Sequence, residues 1–216
     1  MEIGTLIREL GGGMWISAEI FILTLLFSLP LGLVVAFGRM SKIAPVRWIS
    51  KLYISIMRGT PLMLQLMMIY FGPFYLFGIQ NTPTWKNTAV AVGFVLNYAA
   101  YFAEIYRGGI ESIPNGQYEA AKILGYSKGQ TFMRIILPQV VKVILPSVTN
   151  ETITLVKDTS LAFTIGILEM FTVAKALASA QASMIPFIFA GVFYYIFNFV
   201  VAFLMERLEK KLNYYK

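Results

Sequence analysis

The feature that most constrains this chain is a series of long apolar runs, each long enough to cross a membrane. The first, 15–38, contains a single charge, Glu19, and at 1.5 Å per residue it spans the roughly 30 Å hydrocarbon core of a bilayer. It is followed by cations instead of a small-residue cleavage site, which favours an uncleaved helix over a signal peptide. We predict a single all-α membrane domain over 1–216 with five transmembrane helices, at about 15–38, 61–79, 88–106, 140–165 and 186–205.

The composition supports a membrane protein and excludes several kinds of chemistry. The chain is 57% hydrophobic and only 13% charged, whereas roughly a quarter of the residues of a soluble domain are charged. It has no cysteine and no histidine, which excludes disulfides, thiol nucleophiles, imidazole bases and the usual zinc or haem ligands. We therefore expect neither catalytic residues nor a metal site in this chain.

The distribution of basic residues predicts the orientation in the membrane. With the N-terminus outside, fourteen of the 18 Lys and Arg residues fall in cytoplasmic segments, as the positive-inside rule requires. The exceptions are Arg8, Lys86 and Lys175 outside and Lys157 within the fourth span. We interpret the cytoplasmic cations as topology determinants, which accounts for the net charge of +7 without a nucleic-acid partner.

A polar segment between the third and fourth spans carries the most distinctive motif. Its helix-forming residues lie between a Pro-Asn-Gly turn and a later glycine, which predicts a short, non-spanning helix within 115–134. Small alanines let such a helix approach a partner closely, a glutamate can pair with a cation there, and a glycine with positive φ can end the helix. The alternative is an amphipathic helix lying among lipid head groups. The residues concerned are Gly116, Glu119, Ala120, Ala121 and Gly125.

This segment resembles the EAA loop of the permease subunits of binding-protein-dependent ABC importers. Three further motifs resemble the polar amino acid branch of that family, which includes the histidine, arginine and glutamine permeases. They are Arg58-Gly59-Thr60-Pro61, the segment from Ala103 to Ile110, and Lys157-Asp158-Thr159-Ser160-Leu161.

The resemblance implies a type I importer permease fold, multi-pass in the bacterial inner membrane, whose EAA helix docks on an ATPase subunit. It also implies two ATPase subunits, an extracytoplasmic amino acid-binding protein and a second permease copy, either identical or closely related. The chain has no GxxxxGK[ST] phosphate loop. ATP and Mg²⁺ are therefore expected in the partner ATPase, with no cofactor in this chain.

Polar residues inside two spans are the candidates for substrate contact, because such residues are costly in lipid and usually face a cavity or one another. Asn97, Tyr101 and Glu104 share one face of the third span. Glu151, Thr154 and Asp158 share a face of the fourth, with the two carboxyls about 10 Å apart along the helix. We predict that these faces line the transport cavity, and that the excess of carboxylates favours arginine, lysine or histidine as substrate, with glutamine as the alternative.

Other interpretations of these residues remain open from sequence. Glu104 can simply pair with Arg107 one turn away, and Lys157 and Asp158 can neutralise each other locally. Glu151 has no cation within one turn, which makes it the strongest candidate. From a different class, an ion-coupled secondary transporter or channel could use the same carboxylates for protons or sodium.

Two stripes of small residues predict packing surfaces. Ser28, Gly32 and Ala36 form one on the first helix, and Ala174, Ala178 and Ala182 form another near the outer connection.

Overall fold

The structure, a computed structural model, describes residues 3–212, and within that range it contains helices but no β-strand. In chain order the α-helices are α1 Ile3–Arg39, α2 Ala44–Gly59, α3 Leu62–Phe77, α4 Pro83–Glu111, α5 Asn115–Ile123, α6 Lys128–Thr131, α7 Leu137–Asp158, α8 Met170–Gln181 and α9 Ile185–Leu212. A π-helical segment, Phe132–Ile136, joins α6 to α7, and a 3₁₀ segment, Thr159–Ile165, follows α7.

The described helices provide four candidate spans and, if the bent pair of α2 and α3 is counted, up to five. Those long and apolar enough to cross a membrane are α1, α4, α9 and the continuous helical stretch Lys128–Ile165. The fifth candidate span involves α3, which meets α2 at a bend of 109° around Thr60 and Pro61. Because α3 alone carries the apolar run predicted as the second span, α2 is a separate element at its cytoplasmic end.

The helix α1 packs along α4 through the small residues predicted for it. Ser28, Gly32 and Ala36 are all buried. A Cβ at Gly32 would lie 2.9 Å from Phe102 Cβ and 3.0 Å from the Ala99 carbonyl oxygen, so only glycine permits this approach of the two helices. On α8, Ala174 and Ala178 are also buried.

The prediction was wrong for Ala182. That residue ends α8 in a left-handed conformation, with a φ of 46°, and is exposed.

The centre of the fold is α4, whose largest side chains face inward. Phe94, Tyr98 and Phe102 are almost completely buried and pack with residues of α1, α3, α7 and α9 in one apolar cluster. Their spacing of four residues places them on one face of the helix. This face fixes α4 between the bend at α2–α3 on one side and α7 on the other.

The helix that becomes the fourth span is irregular at both ends. Pro138 lacks an N–H and its ring would crowd the carbonyl of Arg134 one turn earlier. The preceding residues widen into a π turn, in which the Leu137 N–H donates to the Phe132 carbonyl. At the other end, the 3₁₀ segment stops at Gly166, which has a φ of +73°.

Candidate functional site

The bend between α2 and α3 is held by two buried amides. Gln65 Nε2 donates to the carbonyl oxygens of Met57 at 2.9 Å and Thr60 at 3.0 Å, and to Thr60 Oγ1 at 2.8 Å. Asn97 Nδ2 donates to the same Met57 carbonyl at 3.1 Å and to Gln65 Oε1 at 3.0 Å. These bonds satisfy carbonyls that the break leaves without helical partners. Asn97, predicted to contact substrate, thus commits its amide nitrogen to the bend and leaves Oδ1 outside this network.

A guanidinium cluster surrounds Glu104 at the cytoplasmic end of α4. Arg107 donates to both Glu104 carboxylate oxygens, with an Nη2 to Oε2 distance of 2.7 Å, and also pairs with Glu111. Arg58 from the α2 terminus lies 4.0 Å from Glu104 and places its guanidinium 5.3 Å from the centroid of the Tyr101 ring. The local pair with Arg107 that the sequence allowed is therefore present, and Arg58 adds a second cation from another helix.

The carboxyls of α7 have a different environment. The Tyr98 hydroxyl donates to Asp158 Oδ2 at 2.7 Å, which joins α4 to the end of α7. Glu151 is partly buried, and neither Glu151 nor Asp158 forms an ion pair in residues 3–212. Asp158 and Arg58 are the charged groups that act on Glu151 electrostatically.

The outward face of α7 is polar and uncovered. In the apolar stretch of this span only 17% of the residues are buried, and the exposed residues include Ser147, Asn150, Thr154 and Lys157. Polar groups at membrane depth are tolerated only next to water or protein. This face must therefore border an aqueous cavity or another chain, and Thr154 lies on it.

The segment with the EAA-like motif forms α5 and ends as its glycine predicts. Gly125 has a φ of +79°. Its N–H donates to the Lys122 carbonyl, while the Tyr126 N–H donates to the Ala121 carbonyl, the bond pattern of a Schellman motif. Ser127 and Gln130 then form a capping box that starts α6.

Two classes of residue stand out on the surface of α5. The predicted residues Gly116, Glu119, Ala120 and Gly125 are exposed. Ile123 and Leu124 are 86% and 73% exposed, an unusual state for large apolar side chains on a polar segment between spans. Exposed apolar side chains of this kind are typical of an interaction surface.

Ala121 corrects one detail of the sequence interpretation. It is only 1% exposed, so its small side chain lets α5 pack within this chain instead of against a partner. The sequence reasoning used only the EAA-like residues and passed over Ile123 and Leu124. Their place at the end of a short polar helix is the signal that could have identified them.

Three residues of the predicted cavity region were missed or noted only as parts of motifs. They are Gln65, Tyr98 and Arg58. Their contacts with Asn97, Asp158 and Glu104 join residues far apart in the chain. For Gln65 the sequence does offer a signal, because it is a polar residue inside the apolar run of the second span.

Comparison with known proteins identifies the family. Residues 28–214 match the model of the binding-protein-dependent transport system inner membrane component. The L-cystine transport system permease protein TcyB of Bacillus subtilis (strain 168) is 37% identical over 95% of this chain and 87% of its own length. The arginine transport system permease protein ArtQ of the same organism is 38% identical over 93% and 91%.

A crystal structure of an amino acid ABC transporter with histidines matches the fold. Its TM-score is 0.87 at 29% identity, over 98% of this chain and 99% of that one. Together with the helical architecture, these matches show that the chain belongs to the family of binding-protein-dependent transport system inner membrane components, as an amino acid ABC transporter permease.

Proposed function

We propose that this permease moves a cationic amino acid, of the arginine, lysine or histidine type, into the cytoplasm by alternating access. The observation that carries the proposal is the contrast between carboxylates. Glu104 is neutralised by Arg107 and Arg58, whereas Glu151 and Asp158 have no ion pair in the described part of the chain. Two carboxylates that form no ion pair within the described residues, on the polar face of a span, favour a ligand that supplies positive charge.

The candidate contacts divide by role. Glu151 and Asp158 provide negative charge about two turns apart, and Thr154 provides a hydroxyl on the same face. Tyr101 offers an aromatic wall and Asn97 its amide oxygen, which the hydrogen bonds of Nδ2 at the bend do not use. Glu104 acts mainly by holding Arg58 over Tyr101. An amino acid with a long cationic side chain satisfies both carboxylates of α7 at once.

Glutamine and other uncharged amino acids form the second candidate class. The relatives named above carry cystine and arginine in their names, so neutral substrates occur in similar permeases. The polar network of Gln65 and Asn97 beside the bend favours a ligand with an amide or carboxyl group. The family assignment argues against the ion-coupled secondary transporter that the sequence left open.

The energy source in this proposal lies outside the chain. ATP and Mg²⁺ would be held by two separate ATPase subunits, one on each α5 of a permease dimer. The docking surface would consist of Gly116, Glu119, Ala120, Ile123, Leu124 and Gly125. The buried Ala121 would let α5 pack against the rest of this chain. An extracytoplasmic binding protein would deliver the amino acid.

The test is ATPase stimulation of the complete complex in lipid vesicles, titrated with arginine, lysine, histidine, glutamine and glutamate. We expect selective stimulation by the cationic amino acids, and a loss of about tenfold or more in apparent affinity for them in Glu151→Gln, since charge-assisted hydrogen bonds contribute about 1.5–3 kcal/mol. The matched control is Glu9→Gln, an exposed carboxyl near the start of α1.

Two outcomes would contradict the proposal. Equal responses to cationic and neutral amino acids would place selectivity outside the spans. An unchanged response in Glu151→Gln would remove that carboxylate from the site.

A further inference from the structure

The helix α2 turns sharply away from the axis of the helix that follows it. Its axis makes an angle of 109° with that of α3, which carries the apolar run of the second span. A helix that turns this far from a spanning helix runs nearly parallel to the bilayer surface. The basic residues on both sides of it place this surface on the cytoplasmic side.

One face of α2 is used for packing. Ile54 is buried, and Tyr53 and Met57 pack beside it against Ala36 and other small residues of α1 and α4. This contact anchors α2 to the bundle along one side only. The remaining surface of the helix is open.

The opposite face of α2 is apolar and exposed. Trp48 and Ile49 are 68% and 69% exposed, and Leu52 and Ile56 are about half exposed. At 100° per residue these four side chains fall within one arc of the helix. The rest of residues 3–212 leaves about half or more of each of them exposed.

Cations flank this arc without any acidic counterpart. Arg47 and Lys51 are exposed and lie on one edge of it, and Lys42 precedes the helix. The sequence contains no Asp or Glu between Glu19 and Glu104. An apolar arc with a tryptophan and a basic edge is the pattern of a helix that binds a negatively charged membrane surface.

We propose that α2 is a docking site for anionic phospholipids of the cytoplasmic leaflet, with Trp48, Ile49 and Leu52 inserted at the head-group boundary and Arg47 and Lys51 contacting phosphate groups. Charge complementarity selects this occupant. An isologous contact between the α2 helices of two copies would instead bring the same cations together.

The contact of α2 with lipid also positions two residues that contact the candidate site. The Met57 carbonyl accepts hydrogen bonds from Gln65 and Asn97, and Arg58 reaches Glu104 and Tyr101. Both residues are in the last turn of α2. Lipid contact along α2 therefore holds the end of the helix that carries them.

The experiment uses Trp48 as its own reporter. The full-length permease is placed in phosphatidylcholine vesicles containing a fixed fraction of brominated phosphatidylglycerol or, separately, brominated phosphatidylcholine. The fluorescence of the Trp48→Phe variant is subtracted from that of the unsubstituted protein, which isolates Trp48 while leaving Trp15 and Trp85 in place. We expect the Trp48 signal to be quenched by both lipids and more strongly by phosphatidylglycerol.

Charge variants test the recognition directly. In Arg47→Gln/Lys51→Gln the preference for phosphatidylglycerol should fall by about fivefold for each cation removed, since each cation near an anionic surface is worth about 1 kcal/mol. The control Lys210→Gln/Lys211→Gln removes the same charge from the end of α9 and should retain the preference.

Three results would overturn the proposal. Absence of quenching by either lipid would mean that protein covers Trp48, either a second copy or the ATPase. Equal quenching by the two lipids would leave an apolar contact without head-group recognition. If the preference for phosphatidylglycerol survives in Arg47→Gln/Lys51→Gln, other residues are responsible for head-group recognition.

Discussion

At the scale of single residues, Glu169 shows how a carboxyl can be buried in this protein outside the spans. It precedes α8, has no exposed surface, and accepts hydrogen bonds from the N–H groups of Phe171 and Thr172 and from the hydroxyls of Thr172 and Tyr194. It thereby caps α8 and ties it to α9. Burial raises the pKa of this carboxyl above its ordinary value of 4.5, although the hydrogen bonds act in the opposite direction.

This raised pKa predicts a pH dependence of stability. The folded protein holds the Glu169 proton more tightly than the unfolded chain does. The contribution of this proton to the free energy of unfolding is therefore fully present below about pH 4.5 and is lost as the pH rises through the folded pKa. The unfolding temperature in detergent should therefore contain a contribution from Glu169 that decreases as the pH rises above about 4.5. This contribution should be absent in Glu169→Gln and retained in Glu9→Gln. Identical profiles for all three proteins would contradict the prediction.

At the scale of elements, the contact between α1 and α4 depends on Gly32. Gly32→Ala would place a methyl group 2.9 Å from Phe102 Cβ, and such overpacking costs about 1–3 kcal/mol. We expect a lower unfolding temperature in detergent. Gly191→Ala is the matched control, since a Cβ there meets nothing within 4 Å. Equal unfolding temperatures for the two variants would show that the helices separate without cost.

The surface of α5 gives the second prediction for an element. Ile123→Ser/Leu124→Ser removes two exposed apolar side chains without disturbing the Schellman motif, whose bonds are formed by the backbone. Fully burying a Leu or Ile side chain is worth about 1.5–3 kcal/mol, so binding of the ATPase should weaken by about tenfold or more. Titration of ATPase onto the detergent-solubilised permease measures this. Leu208→Ser, at the cytoplasmic end of α9, should bind normally, and unchanged binding of the double variant would move the docking surface elsewhere.

At the scale of the whole molecule, the polar face of α7 has to meet water or another chain. The protein has no cysteine, so a single introduced cysteine reports its own environment. We expect Thr154→Cys to react with a membrane-impermeant thiol reagent in the assembled transporter. Ile196→Cys, on the apolar exposed surface of α9, should remain unreactive because it faces lipid. Lack of reaction at position 154 in every nucleotide state would place that face against protein instead of a cavity.

The amino-acid sequence alone determined the features that depend on neighbouring residues. Apolar runs define the spans, the distribution of cations defines the orientation, and Gly125 ends α5 because its left-handed conformation favours glycine. The pair of Glu104 with Arg107 belongs to the same class, since the two residues are one helical turn apart.

The tertiary structure decided what depends on contacts between distant helices. Only the packing of α2, α3 and α4 shows that the Asn97 amide nitrogen serves the bend and that Arg58 reaches Glu104. The burial of Ala121 and the exposure of Ile123 likewise depend on how α5 folds against the π segment. A sequence pattern gives the face of a helix on which a side chain lies. Which partner meets that face is set by the close packing of helices far apart in the chain, and this packing determines which carboxylates form ion pairs within it.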